Sequence, residues 1–371
     1  MQSWSEELNK IITGSEDIRP YLNIDDEEAN LMDEVLKTYP MAITPYYLSL
    51  VDFSNPEDPI KRMCIPSVHE MDMSGTLDTS GESHNTVTEG LQHKYKETAM
   101  VLTTNRCAMY CRHCFRKRLV GLSDDEIAGG FDHVVEYITD HREINNALLS
   151  GGDFMMLSNK QIREYLQKLT SLEQLDLIRL ATRIPVVLPQ RISQDEELLD
   201  MLEDFGKKKQ LYVVTQFNHP RELTEEAIKA VHALLRRGLV VKNQTVLLGG
   251  INDDPTVLSE LLSRLVASGV VPYYVFQCRP VTGVKNQFQL SLKKGVQVVE
   301  KAKSMLNGQA KCIKYCMSHP RGKIEIVGES PDGQMIFKFH QAKYPEDYGR
   351  IFMLKLDDEA GWLKEDLSAG E

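Results

Sequence analysis

The sequence predicts an α/β fold: a partial, open (β/α)6 barrel with a helical N-terminal extension and a small α+β C-terminal segment. Three observations predict it. Six short apolar runs, the first at Ala99, alternate with six stretches of helical length and pattern, which implies a parallel sheet. Six repeats fall short of the eight that close a (β/α)8 barrel. A cysteine triplet, Cys107, Cys111 and Cys114, follows directly on the first run, at the end of the sheet where α/β folds gather their reactive groups.

Residues 1–95 form the extension. NIDDEEANLMDEVLKTYP reads as an amphipathic helix ending before Pro40, and 54–93 is rich in Pro, Ser, Thr, Gly and Asp, so loops should dominate there. The core spans 96–308. Its strands are AMVLTT, NALLSG, LIRLAT, LYVVTQ, VVKNQTVLL and PYYVFQ, and its helices fall near 125–139, 160–169, 195–205, 224–237, 256–267 and 293–305. In 309–371 the pattern changes. KIEIVGE and QMIFKFH read as antiparallel strands around the turn Pro331-Asp332-Gly333.

Composition narrows the function classes. The 371 residues are 42% hydrophobic and 26% charged, as in ordinary globular proteins. A net charge of −11 lacks the basic footprint of a nucleic-acid binder. No apolar run is long enough to cross a membrane, and MQSWSEELNK has no hydrophobic signal core, so a cytoplasmic location is expected. Three of the seven cysteines crowd between Cys107 and Cys114. In such a chain this points to metal ligation over a disulfide framework.

The spacing C-x3-C-x2-C suits a [4Fe–4S] cubane. Three thiolates hold three irons, and the fourth iron stays open to a small molecule. Zinc is the structural alternative, with His113, Cys312 or Cys316 as fourth ligand, although this is not a usual zinc spacing.

This motif, placed after the first strand of a partial barrel, resembles the signature of the radical S-adenosylmethionine superfamily. The likeness narrows to the lysine 2,3-aminomutase family through CAMYCRHCFRKRLVG, LLSGGD, TRIPVVLPQRI, QFNHP, NQTVLLGGIND and YYVFQC, which occur in that order over about 90–300. The resemblance implies S-adenosylmethionine bound at the open iron and cleaved to a 5′-deoxyadenosyl radical. It also implies an amino acid substrate and an external electron donor of flavodoxin or ferredoxin type, and leaves a homo-oligomer open. Gly151, Gly152 and Asp153 follow a strand, where close backbone approach and free N–H groups suit the methionine moiety; the bland reading is a tight turn. Gln190, His219 and Gln244 fall at strand ends or loops and are expected at the cofactor. The arginine matching Arg116 grips the substrate carboxylate in the family, a task that suits a guanidinium fork.

The chain also departs from the family. Family aminomutases bind pyridoxal phosphate through a lysine in a Gly-rich segment followed by Thr-Pro. Here the region reads Ser318-His319-Pro320-Arg321-Gly322-Lys323-Ile324-Glu325, with Lys323 as the candidate. Two family phosphate-binding arginines correspond to Lys94 and Thr98, and a substrate-binding aspartate to Arg279. The pyridoxal half of the site therefore reads as eroded. The expectation is a pyridoxal-independent radical enzyme acting on a free amino acid, for example by dehydration or elimination on a hydroxylated, lysine-like one. The alternatives are a pyridoxal-dependent 2,3-aminomutase using Lys323, and a non-catalytic cluster-binding sensor.

Overall fold

The structure is a computed structural model and describes residues 4–22 and 24–370. Its strands are β1 (Thr86–Thr88), β2 (Leu91–Tyr95), β3 (Thr98–Thr104), β4 (Asn146–Gly151), β5 (Leu177–Ala181), β6 (Gln210–Thr215), β7 (Val240–Leu247), β8 (Val271–Gln277), β9 (Lys314–His319), β10 (Gly322–Glu329), β11 (Met335–Ala342) and β12 (Ile351–Leu354). They form one 12-stranded sheet in sequential order. The strands from β3 to β9 are parallel. The flanks are antiparallel: β1 and β2 before β3, and β10, β11 and β12 after β9.

The six apolar runs are β3 to β8. A seventh parallel strand, β9, went unread because KYCMSH carries too many polar residues to register as an apolar run. The expected antiparallel pair is β10 and β11. In the extension the amphipathic segment forms the helix Asp26–Thr38, with an Asp25/Glu28 capping box. The loop-rich stretch after it also holds the β1–β2 hairpin.

Six helices separate the parallel strands: Asp132–Asp140, Asn159–Thr170, Glu196–Gly206, Glu225–Arg236, Pro255–Ala267 and Leu292–Ser304. Five start at a side-chain cap, from Ser158, Asp195, Thr224, Asp254 and Ser291. The first begins seven residues later than 125. The backbone of Ala128 and Gly129 is drawn into the sheet edge instead, donating to the Leu102 carbonyl and the Glu89 carboxylate.

The two faces of the parallel sheet differ. Ala147, Leu149, Ile178, Leu180, Leu211, Val213, Val241 and Val275 are fully buried in the core. Alternate positions, among them Leu148, Ser150, Arg179, Gln244, Val246 and Phe276, line a cavity of about 370 Å³. Period-two alternation thus assigns one face to packing and the other to chemistry.

Candidate active site

The cysteine loop leaves the end of β3 and borders this cavity. Cys107, Cys111 and Cys114 are free and line it. The loop turns on a Cys114 N–H bond to the Cys111 carbonyl at 3.0 Å. Two donors already point at sulfur: the Arg116 N–H at 3.3 Å from Cys114 Sγ, and Arg183 Nη1 at 2.8 Å from Cys111 Sγ. Burial pushes the Cys114 thiol up to about 11 and the Cys107 thiol well above its ordinary value, so loading iron here must expel protons. Among the described residues no three His, Cys, Asp or Glu side chains converge as one metal ion requires, which is what a zinc site would need. Three free thiols lining one cavity suit a cubane, where each thiolate takes a different iron.

The loop CRHCFRKR carries four cations into the interior, and the N-terminal extension neutralises them. Glu70 accepts from Arg112 Nε at 2.8 Å and pairs with Lys117, and all three side chains are at most 4% exposed. Glu82 receives Nε and Nη2 of Arg116 at 3.0 and 2.9 Å, and Arg118 Nη2 at 3.0 Å. Neither glutamate was singled out from the sequence. The signal was the cations themselves, because a buried charge demands a partner.

Of the residues expected at the site, Arg116, Gly151, Gly152, Asp153 and Gln244 line the cavity. The free N–H groups expected on this segment are not what the structure presents. Gly151 pairs with β3, Gly152 donates to the Thr104 carbonyl, and Asp153 donates to the Arg106 carbonyl. At Gly151 φ is +116°, and a Cβ on Gly152 would stand 2.4 Å from the Arg106 carbonyl oxygen. Lack of a side chain lets β4 press against the cysteine loop. Asp153 is no solvated turn residue either. It is buried and accepts from Thr182 Oγ1 and the Arg183 N–H, both at 2.6 Å, and from the Met155 N–H. Burial raises it to about 6, against the pull of those bonds.

Gln190 and His219 fall outside the cavity. His219 caps a short turn, its Nδ1 accepting from the Arg221 N–H at 3.2 Å. Gln190 opens the short helix Gln190–Ser193, with its Oε1 buried and unpartnered. Cys316 is buried in β9, Cys312 is exposed, and neither lines the cavity. Arg116 is placed as expected, but its fork is engaged. Glu82, Ser150 Oγ and the Gly151 carbonyl all accept from it.

His113, weighed from sequence only as a zinc ligand, lines the cavity beside the cysteines. Its Nε2 lies 3.2 Å from the Gln216 amide and 3.1 Å from the Asn218 amide. Burial keeps the ring neutral, helped by the charges of Arg183 and Lys117. Two donors on Nε2 leave the proton on Nδ1, which is buried without a partner.

Further in, the cavity is cationic. Arg279 donates to Ser80 Oγ at 2.8 Å and lies 4.0 Å over the Phe115 ring. Burial lowers Arg279 to about 10. Lys94 bonds the His319 carbonyl at 2.6 Å, and burial lowers it to about 7. Arg179 has a buried Nε without a partner. Lys323, on β10, reaches the same space. Its ammonium lies 4.2 Å over the Tyr274 ring with no hydrogen-bond partner among the described residues, and burial lowers it to about 8.

Residues 101–261 match the model of the Radical SAM superfamily. The chain is 40% identical over 349 residues to a putative L-lysine 2,3-aminomutase of Aquifex aeolicus, covering 94% of this chain and 93% of that one. It is 38% identical over 310 residues to the L-lysine 2,3-aminomutase of Fusobacterium nucleatum, covering 83% and 72%. To the glutamate 2,3-aminomutase of Clostridioides difficile it is 34% identical over 318 residues, covering 85% and 74%.

Proposed function

Because this chain belongs to the lysine 2,3-aminomutase family of radical S-adenosylmethionine enzymes, we propose that it isomerises a free amino acid with the help of pyridoxal phosphate held on Lys323. The [4Fe–4S] cluster and S-adenosylmethionine are the family's cofactors, and Cys107, Cys111 and Cys114 are the thiols that would carry the cluster. When bound, these groups supply the one-electron cleavage and the hydrogen abstraction that start the reaction. The protein's own task is to hold the substrate beside them and keep water out.

One observation carries the pyridoxal reading. Lys323 presents to the cavity an ammonium with no hydrogen-bond partner among the described residues, lowered to about 8 by burial, as an amine that must react near neutral pH requires. From the sequence this lysine was the candidate of the alternative, pyridoxal-dependent reading, although the family's Gly-rich segment around it is missing. Lys94, Arg179 and Arg279 line the same space and are the cations a phosphate there would meet, Arg179 with a buried Nε that has no partner among the described residues. Arg279, in the place of a family aspartate, favours a side chain ending in an acceptor or a carboxylate over one ending in an ammonium.

A second reading keeps a specific observation in its favour. Lys94 is committed to the His319 and Ser80 carbonyls, and Thr98 brings no cation. That supports the pyridoxal-free elimination or dehydration of a hydroxylated amino acid expected from the sequence.

The test loads purified protein with pyridoxal phosphate, reduces it with borohydride and maps the adduct by mass spectrometry. A pyridoxyl group on Lys323, absent from Lys323→Ala, is expected. Amino acid turnover with 5′-deoxyadenosine release by strictly pyridoxal-free protein would overturn this reading in favour of elimination.

A further inference from the structure

Arg183 belongs to the TRIPVVLPQRI block, yet no step above uses it. It lies where β5 runs into the short helix Ile184–Val187 and is buried. Its guanidinium is held on every side. Nε donates to the Gln216 carbonyl at 3.1 Å, and Nη2 to Glu222 Oε1 at 2.5 Å and the Tyr47 hydroxyl at 3.4 Å. Nη1 is left for Cys111 Sγ at 2.8 Å. The counter-charge is fixed in turn. Glu222 is wholly buried and accepts from the Tyr47 hydroxyl at 2.6 Å and from the Asn218 and His219 N–H groups at 2.6 and 3.0 Å. A permanent cation is thus clamped against one of the three cluster thiols by residues of the extension and of the QFNHP block.

We propose that Arg183 is a positioning residue that sets the reduction potential of the cluster through its bond to Cys111, with Glu222 as the opposing charge that moderates it. When an external low-potential donor passes one electron to the cluster, no bond is made or broken and the cluster becomes one charge more negative. A cationic N–H donor on a cluster sulfur stabilises that reduced form, and a carboxylate behind it subtracts from the effect. Burial of Arg183 and Glu222 keeps both influences from being screened by water. Cluster potentials answer to net charge and to hydrogen bonds on sulfur, so removing either group should move the potential in a direction fixed by its sign.

The experiment reconstitutes full-length protein with iron and sulfide and follows cluster reduction by EPR-monitored redox titration without S-adenosylmethionine. Removing the cation in Arg183→Gln is expected to make reduction about tenfold less favourable, about 59 mV more negative for a one-electron couple. Removing the carboxylate in Glu222→Gln is expected to shift the potential positive, although both variants break the same ion pair. Arg183→Lys, which keeps the charge and loses the fork, should fall between Arg183→Gln and the native protein. Tyr47→Phe, which leaves the Arg183–Cys111 contact in place, should stay near the native value. An unchanged potential in Arg183→Gln with full iron content overturns the proposal, as do shifts of the same sign in the Arg183→Gln and Glu222→Gln variants. Should Arg183→Gln fail to hold a cluster, Glu222→Gln decides: a positive shift supports the proposal, and no shift or a negative one overturns it.

Discussion

Replacing Lys323 with methionine should stabilise the pyridoxal-free protein at neutral pH, and by an amount that depends on pH. Burial takes the lysine from 10.5 to about 8, which corresponds to about 3 kcal/mol. The folded-state value lies below the unfolded one. The native protein therefore bears this cost in full below about pH 8 and sheds it as the pH rises from about 8 to 10.5. The contact with the Tyr274 ring at 4.2 Å returns about 1 kcal/mol to the charged form, leaving a net gain of about 2 kcal/mol for Lys323→Met at pH 7. At about 2.1 cal/mol/K per residue, 371 residues give an unfolding entropy of roughly 0.8 kcal/mol/K, so the melting temperature should rise by about 2–3 °C. Thermal unfolding followed by circular dichroism between pH 7 and pH 10 measures this, with the gain shrinking to under half at the alkaline end. A gain of constant size across that range would trace the effect to packing instead of buried charge. A loss of stability at pH 7 would refute the reasoning.

Two further outcomes follow from the geometry around the cysteines. Glu70→Gln leaves Arg112 and Lys117 buried without their shared carboxylate and should destabilise the protein by about 3–5 kcal/mol, read from the midpoint of urea unfolding at pH 7. Gly152→Ala places a Cβ 2.4 Å from the Arg106 carbonyl oxygen, which belongs to backbone and cannot step aside. It should cost about 1–3 kcal/mol and lower the iron and sulfide retained per chain after reconstitution, with the far-ultraviolet circular dichroism unchanged.

Strands β3 to β8 were legible because each is a short apolar run and each crossover holds a helix, five of the six with a side-chain cap. Strand β9 was not, because Lys314, Ser318 and His319 break its apolar run, and its pairing with β8 and β10 leaves no local trace. The cysteine triplet was legible for the opposite reason: its chemistry is local in sequence. Gln190 and His219 show the limit of that approach. Each lies within a family block, yet Gln190 opens a short helix, His219 caps a short turn, and neither lines the cavity. Lys323 shows the converse. Judged by its neighbours in sequence it had lost its setting, but the β9–β10 turn delivers it into the cavity all the same. Glu70, Glu82 and Arg183 act across distances in the chain that no spacing rule spans.

The pairing of two glutamates from the extension with four cations of the cysteine loop bears on what can be moved between proteins. The segment matching the superfamily model begins at residue 101, after both Glu70 and Glu82. Excised at that boundary, the barrel would keep Arg112, Arg116, Lys117 and Arg118 and lose the carboxylates they share, with Glu126 left to serve Arg118 alone. A graft or chimera cut there would strand charge beside Cys107, Cys111 and Cys114. The smallest transplantable piece of this enzyme is therefore larger than its recognisable core, and a library built by swapping barrels should take its crossover upstream of Glu70.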